Sequence, residues 1–165
     1  MNDTNQFLTF TLEEEQYAIP VQRVREVLEY TKITKIPKTA TYMKGVINLR
    51  GIGVPVIDFR SKFGMDEIPL SKDTSIIVME VSEKDTEDSI ILGALADSVQ
   101  EVIELDSDSI EKAPRFGTRL STEFIQGMGK KDGAFIIILD IDKIFSSEEV
   151  NFLNSVEKMA EAVDA

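Results

Sequence analysis

The sequence has no histidine, no cysteine and no tryptophan among its 165 residues. Nucleophilic thiolates, zinc sites built from cysteine or histidine, and Ser-His-Asp triads are therefore excluded. Disulfide bonds are excluded too, which suits a reducing compartment. No apolar run approaches the roughly 20 residues of a membrane helix. The polar residues 1–6 lack a basic segment followed by an apolar one, so we expect no signal peptide and a cytoplasmic protein.

Positive charge is also scarce. Eighteen lysines and arginines face 30 aspartates and glutamates, which gives a formal net charge of -12. Such a chain repels phosphate backbones, so we expect no nucleic-acid partner. The apolar content of 42% and the charged content of 29% are ordinary for a globular protein, and the length suits one domain or two small, closely packed ones.

Short apolar segments separated by turn signals predict a mostly β protein. Residues 7–11 and 17–19 indicate a hairpin, and Pro20 begins a predicted helical turn at 20–25. The other predicted strands are 26–30, 46–49, 54–57, 75–81, 90–96, 99–105, 124–128 and 134–140. Turns at this spacing favour a barrel or a sandwich over a parallel sheet.

Only the C-terminal region has a clear helical pattern. Ser146 and Glu149 have the spacing of a capping box, and an apolar stripe follows at Val150, Leu153, Val156, Met159 and Val163. The sequence predicts a helix over 147–163 whose stripe packs on the β body, with partner binding as the alternative.

The chain resembles itself at two offsets. Residues 24–29 match 99–104 at an offset of 75, and residues 42–63 match 124–145 at an offset of 82. The longer match pairs glycines, aspartates and phenylalanines: Gly45 with Gly127, Gly51 with Gly133, Asp58 with Asp140, and Phe63 with Phe145. We expect two copies related by a pseudo-twofold axis with a groove between them, because each copy alone is too small for a large core.

Two other patterns have plain structural explanations. The glycines at 127–133 lack the spacing and the following helix of a phosphate-binding loop. The aspartate pairs at 106–108 and 140–142 lack the glycine and the final glutamate of a calcium loop. An enzyme that uses carboxylates and Mg²⁺ remains arithmetically possible, although no acidic cluster has a distinctive spacing.

The segment Lys44–Gly51, KGVINLRG, resembles the CheW family of chemotaxis coupling proteins. The following VPVID at 54–58 fits the same pattern, as do the segments at 7–10, 17–19, 24–27 and 120–127. The resemblance covers roughly 6–150. It implies an all-β fold of two intertwined SH3-like five-stranded β-barrels with pseudo-twofold symmetry and a C-terminal α-helix. We expect a single domain over 1–165, with barrel 1 at roughly 20–80 and barrel 2 formed by 7–19 with 81–145.

The resemblance also implies a non-enzymatic scaffold without metal or cofactor. Proteins of this family couple the cytoplasmic domains of chemoreceptors to a CheA-type histidine kinase, and receptor helices bind in the groove between the barrels. The alternative is that the same fold serves a different signalling kinase, for motility or gene control. Self-association in receptor arrays is left open, and no membrane insertion is expected.

The implied site residues fall into three groups. Val21, Val24, Glu26 and Val27 would line one side of the receptor groove, with Val99 and Val102 on the other. Asn48, Arg50 and Gly51 would form a functional loop. Phe116 is a candidate kinase contact, with core burial as its alternative, and the acidic loop at 82–89 is a solvated loop or an extra contact. Core packing is the alternative for the valines, and strict alternation would put Val99 and Val102 on opposite faces unless a bulge intervenes.

Overall fold

Two five-stranded sheets form the body of the protein in a computed structural model that describes residues 4–36, 41–82, 89–111 and 124–164. The strands are β1 Thr4–Leu12, β2 Glu15–Pro20, β3 Val24–Glu29, β4 Met43–Leu49, β5 Ile52–Asp58, β6 Ser75–Ser82, β7 Ser89–Ala96, β8 Ser98–Asp106, β9 Ile125–Lys131 and β10 Ala134–Leu139. The other described elements are two 3₁₀ turns, Val21–Arg23 and Ser107–Ser109, and three α-helices: α1 Phe59–Lys62, α2 Ile141–Ile144 and α3 Ser147–Asp164. The predicted fold class of two SH3-like barrels with a C-terminal helix is confirmed.

The two sheets have the same topology. One has the order β3-β6-β7-β5-β4 and the other β8-β1-β2-β10-β9. In each sheet, the edge strand β3 or β8 lies next to an antiparallel hairpin, β6–β7 or β1–β2. The second strand of that hairpin runs parallel to the inner strand of another hairpin, β4–β5 or β9–β10. The N-terminal hairpin β1–β2 thus completes the sheet built by the C-terminal strands, so the two halves are intertwined.

The two offsets found in the sequence correspond to structural repeats. The turns at Arg50-Gly51 and Asp132-Gly133 share the same left-handed backbone, with φ of 51° and 85° in one and 53° and 81° in the other. Both copies also close their sheets alike, since Thr34 bridges to Val46 and Glu111 bridges to Met128. Each bridge ties the chain that follows one edge strand to the opposite edge of the same sheet, which curls the sheet into a barrel.

Three apolar clusters explain the nearly continuous apolar strands. Each barrel has its own core, represented by Val56, Ile76 and Leu95 in one and by Ile103 and Ile136 in the other. A third cluster lies between the barrels and takes side chains from both sheets, the three helices and their flanking segments. Strands with one face in a barrel core and the other in this shared core are buried on both sides.

The helix α3 begins with the predicted capping box. The Ser146 hydroxyl accepts from the Glu149 N–H at 3.1 Å, and Glu149 Oε1 accepts from the Ser146 N–H at 2.9 Å. Val150, Leu153 and Val156 are buried in the shared core, so the described part of the stripe packs as predicted. Among the described residues, no helix combines the length and the apolar character that crossing a bilayer requires.

The side chain of Lys62 also binds the start of α3 to the β body. Lys62 Nζ lies 2.8 Å from Glu149 Oε2 and within 5.1–5.7 Å of the rings of Tyr42, Phe124 and Phe145. Burial raises the pKa of Glu149, but hydrogen bonds from Lys62, the Ser146 backbone and Tyr42 outweigh it and hold that pKa below its usual value. The start of α3 is thus bound to α1 by an ionised pair.

Two sequence expectations differ from the structure. The predicted helical turn is a 3₁₀ turn over Val21–Arg23 only, because Val24 already pairs with Met79 in the sheet. The barrel boundary predicted at residue 80 lies instead at Asp97, since β7 pairs with β6 and β5 in the first sheet. Barrel 1 thus contains β3–β7, and barrel 2 contains β1, β2 and β8–β10.

Candidate functional site

The paired valines lie on the two edge strands β3 and β8. Val24 opposes Met79 and Val27 opposes Ile77, with a register shift after Val24. Directly opposed residues of an antiparallel pair project to the same face, and Met79 and Ile77 share a face because they are two residues apart. Val24 and Val27 therefore face the core between the barrels.

The same arrangement recurs on β8. Val99 opposes Phe10 and Val102 opposes Leu8, with the register shift between them. The bulge that the sequence left open is present, and it brings Val99 and Val102 to one face of the strand. Thr9 stabilises this bulge, because its hydroxyl donates to the Glu101 carbonyl at 2.8 Å and accepts from the Glu101 N–H at 3.1 Å.

Exposure distinguishes the two valines of each strand. Val24 and Val99 are partly buried and pack against the shared core. Val27 and Val102 face the same way, yet 43% and 49% of their surfaces are exposed. The shared core is therefore open to solvent at both edge strands, and the alternative of full core packing does not hold for Val27 and Val102.

Glu26 and Arg50 are brought together by barrel closure. Arg50 Nη2 lies 2.5 Å from Glu26 Oε1, and Nη1 lies 3.5 Å from Oε2. The hydrogen bond to Glu26, and then its negative charge, raise the pKa of the Arg50 guanidinium above its ordinary value. Asn48 Oδ1 accepts from the Gly51 N–H at 2.8 Å, which holds the turn that presents Arg50. The predicted loop and one groove residue thus form one surface.

A second charged pair in the other barrel was not anticipated from the sequence. Lys131 Nζ lies 2.7 Å from Glu101 Oε1. Glu101 corresponds to Glu26 at the offset of 75, and Lys131 precedes the turn that corresponds to Arg50-Gly51. The offsets themselves were the signal that could have found this pair.

Two predicted residues are not part of these surfaces as described. Val21 lies in the 3₁₀ turn before β3 and is partly buried. Phe116 lies outside the described residues, as does the acidic segment 83–88. The assignment of Val21, Val24, Glu26, Val27, Val99, Val102, Asn48, Arg50, Gly51 and Phe116 to partner binding remains a prediction.

Comparison with known proteins gives a family. The model of the CheW-like domain matches residues 6–149. A chemotaxis protein CheW of Klebsiella aerogenes is 36% identical over 153 residues, 93% of this chain and 89% of that protein. A chemotaxis protein CheW of Thermotoga maritima is 35% identical over 154 residues, 90% of this chain and 91% of that protein.

A solved structure agrees with these relatives. The crystal structure of the scaffolding protein TtCheW from Thermoanaerobacter tengcongensis is 36% identical, with a TM-score of 0.76 over 88% of this chain and 96% of that one. Fold and sequence together define a scaffold protein of the chemotaxis class. The chain belongs to the CheW family.

Proposed function

We propose that this protein is a non-enzymatic cytoplasmic adaptor that couples the cytoplasmic domain of a chemoreceptor to a CheA-type histidine kinase. The observation that carries this proposal is the family match over 6–149, which spans both barrels and the start of α3. The exposed valines on both edge strands support it further, because they provide two apolar surfaces that the fold itself leaves uncovered.

The physical basis of receptor binding is the opening in the shared core. An α-helical receptor tip presents an apolar face, and such a face packs into an apolar groove. Val27 and Val102 would contact that face, with the Glu26–Arg50 pair at the edge of the contact. Valine loses little side-chain entropy on ordering because its χ1 angle is already restricted.

Co-sedimentation tests the proposal directly. The chain is mixed with membranes that carry a chemoreceptor cytoplasmic domain, with the kinase alone, and with both. We expect it to sediment with the receptor membranes, to bind the kinase in solution, and to increase the amount of kinase that sediments. A chain that binds the kinase but leaves it in the supernatant with receptor present would contradict the coupling role.

A further inference from the structure

The chain passes from one barrel to the other at two points, and each point is held by an arginine–carboxylate cluster. The first passage is the 3₁₀ turn between β2 and β3, where Arg23 forms an ion pair with Asp142 of α2. Asp142 Oδ1 also accepts from the Ser82 N–H at the end of β6, at 3.0 Å. Arg23 Nη1 donates to the Ser82 hydroxyl at 3.1 Å, so this cluster joins barrel 2 to barrel 1.

The second passage is Asp97, which lies between β7 and β8. Its Oδ2 accepts from Arg60 Nε of α1 at 3.2 Å and also pairs with the Arg60 Nη2 group. The same oxygen accepts from the Glu13 N–H, which follows β1, at 2.6 Å. This cluster therefore joins barrel 1 to barrel 2.

The two clusters have the same design with the charges exchanged. In both, a carboxylate binds an arginine and a backbone N–H at the end of an equivalent strand, β6 or β1. Arg60 and Asp142 occupy equivalent positions at the offset of 82, whereas Arg23 and Asp97 lie within one residue of equivalence at the offset of 75. In both copies, an ion pair therefore joins the passage between the barrels to a short helix and to the end of a hairpin strand. The arginine and the carboxylate of that ion pair have exchanged places between the copies.

We propose that these clusters, which we name the crossover clamps (Arg23–Asp142 and Arg60–Asp97), fix the two valine-bearing strands relative to each other. Arg23 directly precedes Val24, and Asp97 lies two residues before Val99. The clamp side chains are only partly exposed, 30% and 32% in the first and 13% and 17% in the second. Partly desolvated charges favour the paired geometry strongly, because separation leaves a charge without compensation.

The consequence for binding rests on the proposed function. A partner that contacts both edge strands binds most tightly when the two surfaces are already in place, since ordering them on binding reduces the affinity. The clamp residues would then be positioning residues, which affect receptor binding without contact with the receptor.

Spin-label distances test the clamps without any partner. The chain has no cysteine, so Glu29→Cys on β3 and Glu104→Cys on β8 introduce the only two labelling sites, both at exposed positions. We expect one narrow distance distribution, and Arg60→Ala to increase its width about twofold as the barrels gain freedom. Arg25→Ala is the matched control, because Arg25 pairs with Glu80 inside barrel 1. A width that responds equally to both substitutions, or to neither, overturns the proposal.

Exchange of the charges of Arg60 and Asp97 provides a second test, which measures receptor binding. Arg60→Asp and Asp97→Arg, each alone, should weaken binding of a receptor fragment about tenfold. The double variant should restore part of it, because the exchanged ion pair forms again while the Glu13 N–H loses its acceptor. Asp142→Asn tests the more exposed clamp if the Arg60 variants do not fold. Broadened distances with unchanged receptor affinity would overturn the positioning role. If the unaltered chain binds no receptor fragment, the proposed function fails, and the distances still decide whether the clamps fix the strands.

Discussion

Arg50 and Glu26 form an ion pair across the closure of barrel 1. Glu26 lies on the edge strand β3, and Arg50 lies in the turn that follows the opposite edge strand β4. The arginine has φ of 51°, so the turn holds a non-glycine residue in the left-handed region and directs its side chain toward the carboxylate. The pair combines closure of the barrel with presentation of an exposed arginine and a partly exposed glutamate beside Val27.

We expect Arg50→Ala to weaken receptor binding about tenfold, because the forked donor that Arg50 presents beside Val27 is lost. Its effect on the free energy of unfolding should be small, because solvent screens an exposed pair. Lys131→Ala is the matched control, since it breaks the corresponding pair with Glu101 in barrel 2. Calorimetric titration with a receptor fragment and urea unfolding measure the two quantities. Equal losses of affinity in both variants would show that the Arg50 loop has no special role.

Charge placed on the outer valines should separate binding from folding. Val27→Asp and Val102→Asp put a carboxylate where water already reaches the side chain, so they should prevent receptor binding with little loss of stability. Val24→Asp should lower the free energy of unfolding by about 2 kcal/mol or more, because Val24 packs against the shared core. Binding by Val24→Asp therefore cannot be interpreted without a stability measurement.

Leu70→Asp is the control for the valine series. Leu70 is 59% exposed and lies outside both edge strands, so its substitution should leave receptor binding unchanged. Co-sedimentation and thermal unfolding of all four variants give the comparison. A bound Val27→Asp variant with a native melting profile would remove β3 from the proposed receptor surface.

The sequence predicted the strands well because each has a local signature. The Arg50-Gly51 and Asp132-Gly133 turns and the capping box at Ser146 could be identified from neighbouring residues, and the repeated segments from comparison of the chain with itself. The place of β7 could not. Its apolar run suits either sheet. The hairpin with β6 is local, but the parallel pairing with β5 joins distant segments such as Val56 and Gly93, and no local pattern shows it.

The difference in exposure between the valines could not be predicted from the sequence either. Val24 and Val27 belong to the same residue type on the same face, and only the end of the shared core makes one partly buried and the other exposed. The crossover clamps could not be predicted either, because Arg23 and Asp142 are 119 positions apart. Because the charges are exchanged between the two clamps, a search for identical residues does not detect that the clamps correspond.

The two equivalent turn glycines separate backbone strain from binding. Gly51 has φ of 85° and Gly133 has φ of 81°, and an added Cβ would contact nothing within 4 Å at either position. Gly51→Ala and Gly133→Ala should each lower the free energy of unfolding by about 1–2 kcal/mol, the cost of the left-handed region for a residue with a side chain. Only Gly51→Ala should also reduce receptor affinity beyond that loss. A fall of affinity in Gly133→Ala as well would indicate that general destabilisation is responsible.

Alkaline unfolding should report on Tyr17 in the shared core. Burial first, and then the charges of Glu15 and Glu13, raise the pKa of Tyr17 to about 12, above its usual value of 10. The folded state therefore retains a proton that the unfolded chain releases. The resulting stability is complete below about pH 10 and is lost as the pH rises toward about 12, by roughly 2–3 kcal/mol in total.

Tyr17→Phe removes this dependence, so its free energy of unfolding should fall less over the same range. Tyr30→Phe, at an exposed position, is the control and should follow the unaltered chain. Urea titrations at about one-unit steps of pH measure all three proteins, and parallel curves for Tyr17→Phe and the unaltered chain would show that the buried phenol does not govern alkaline stability.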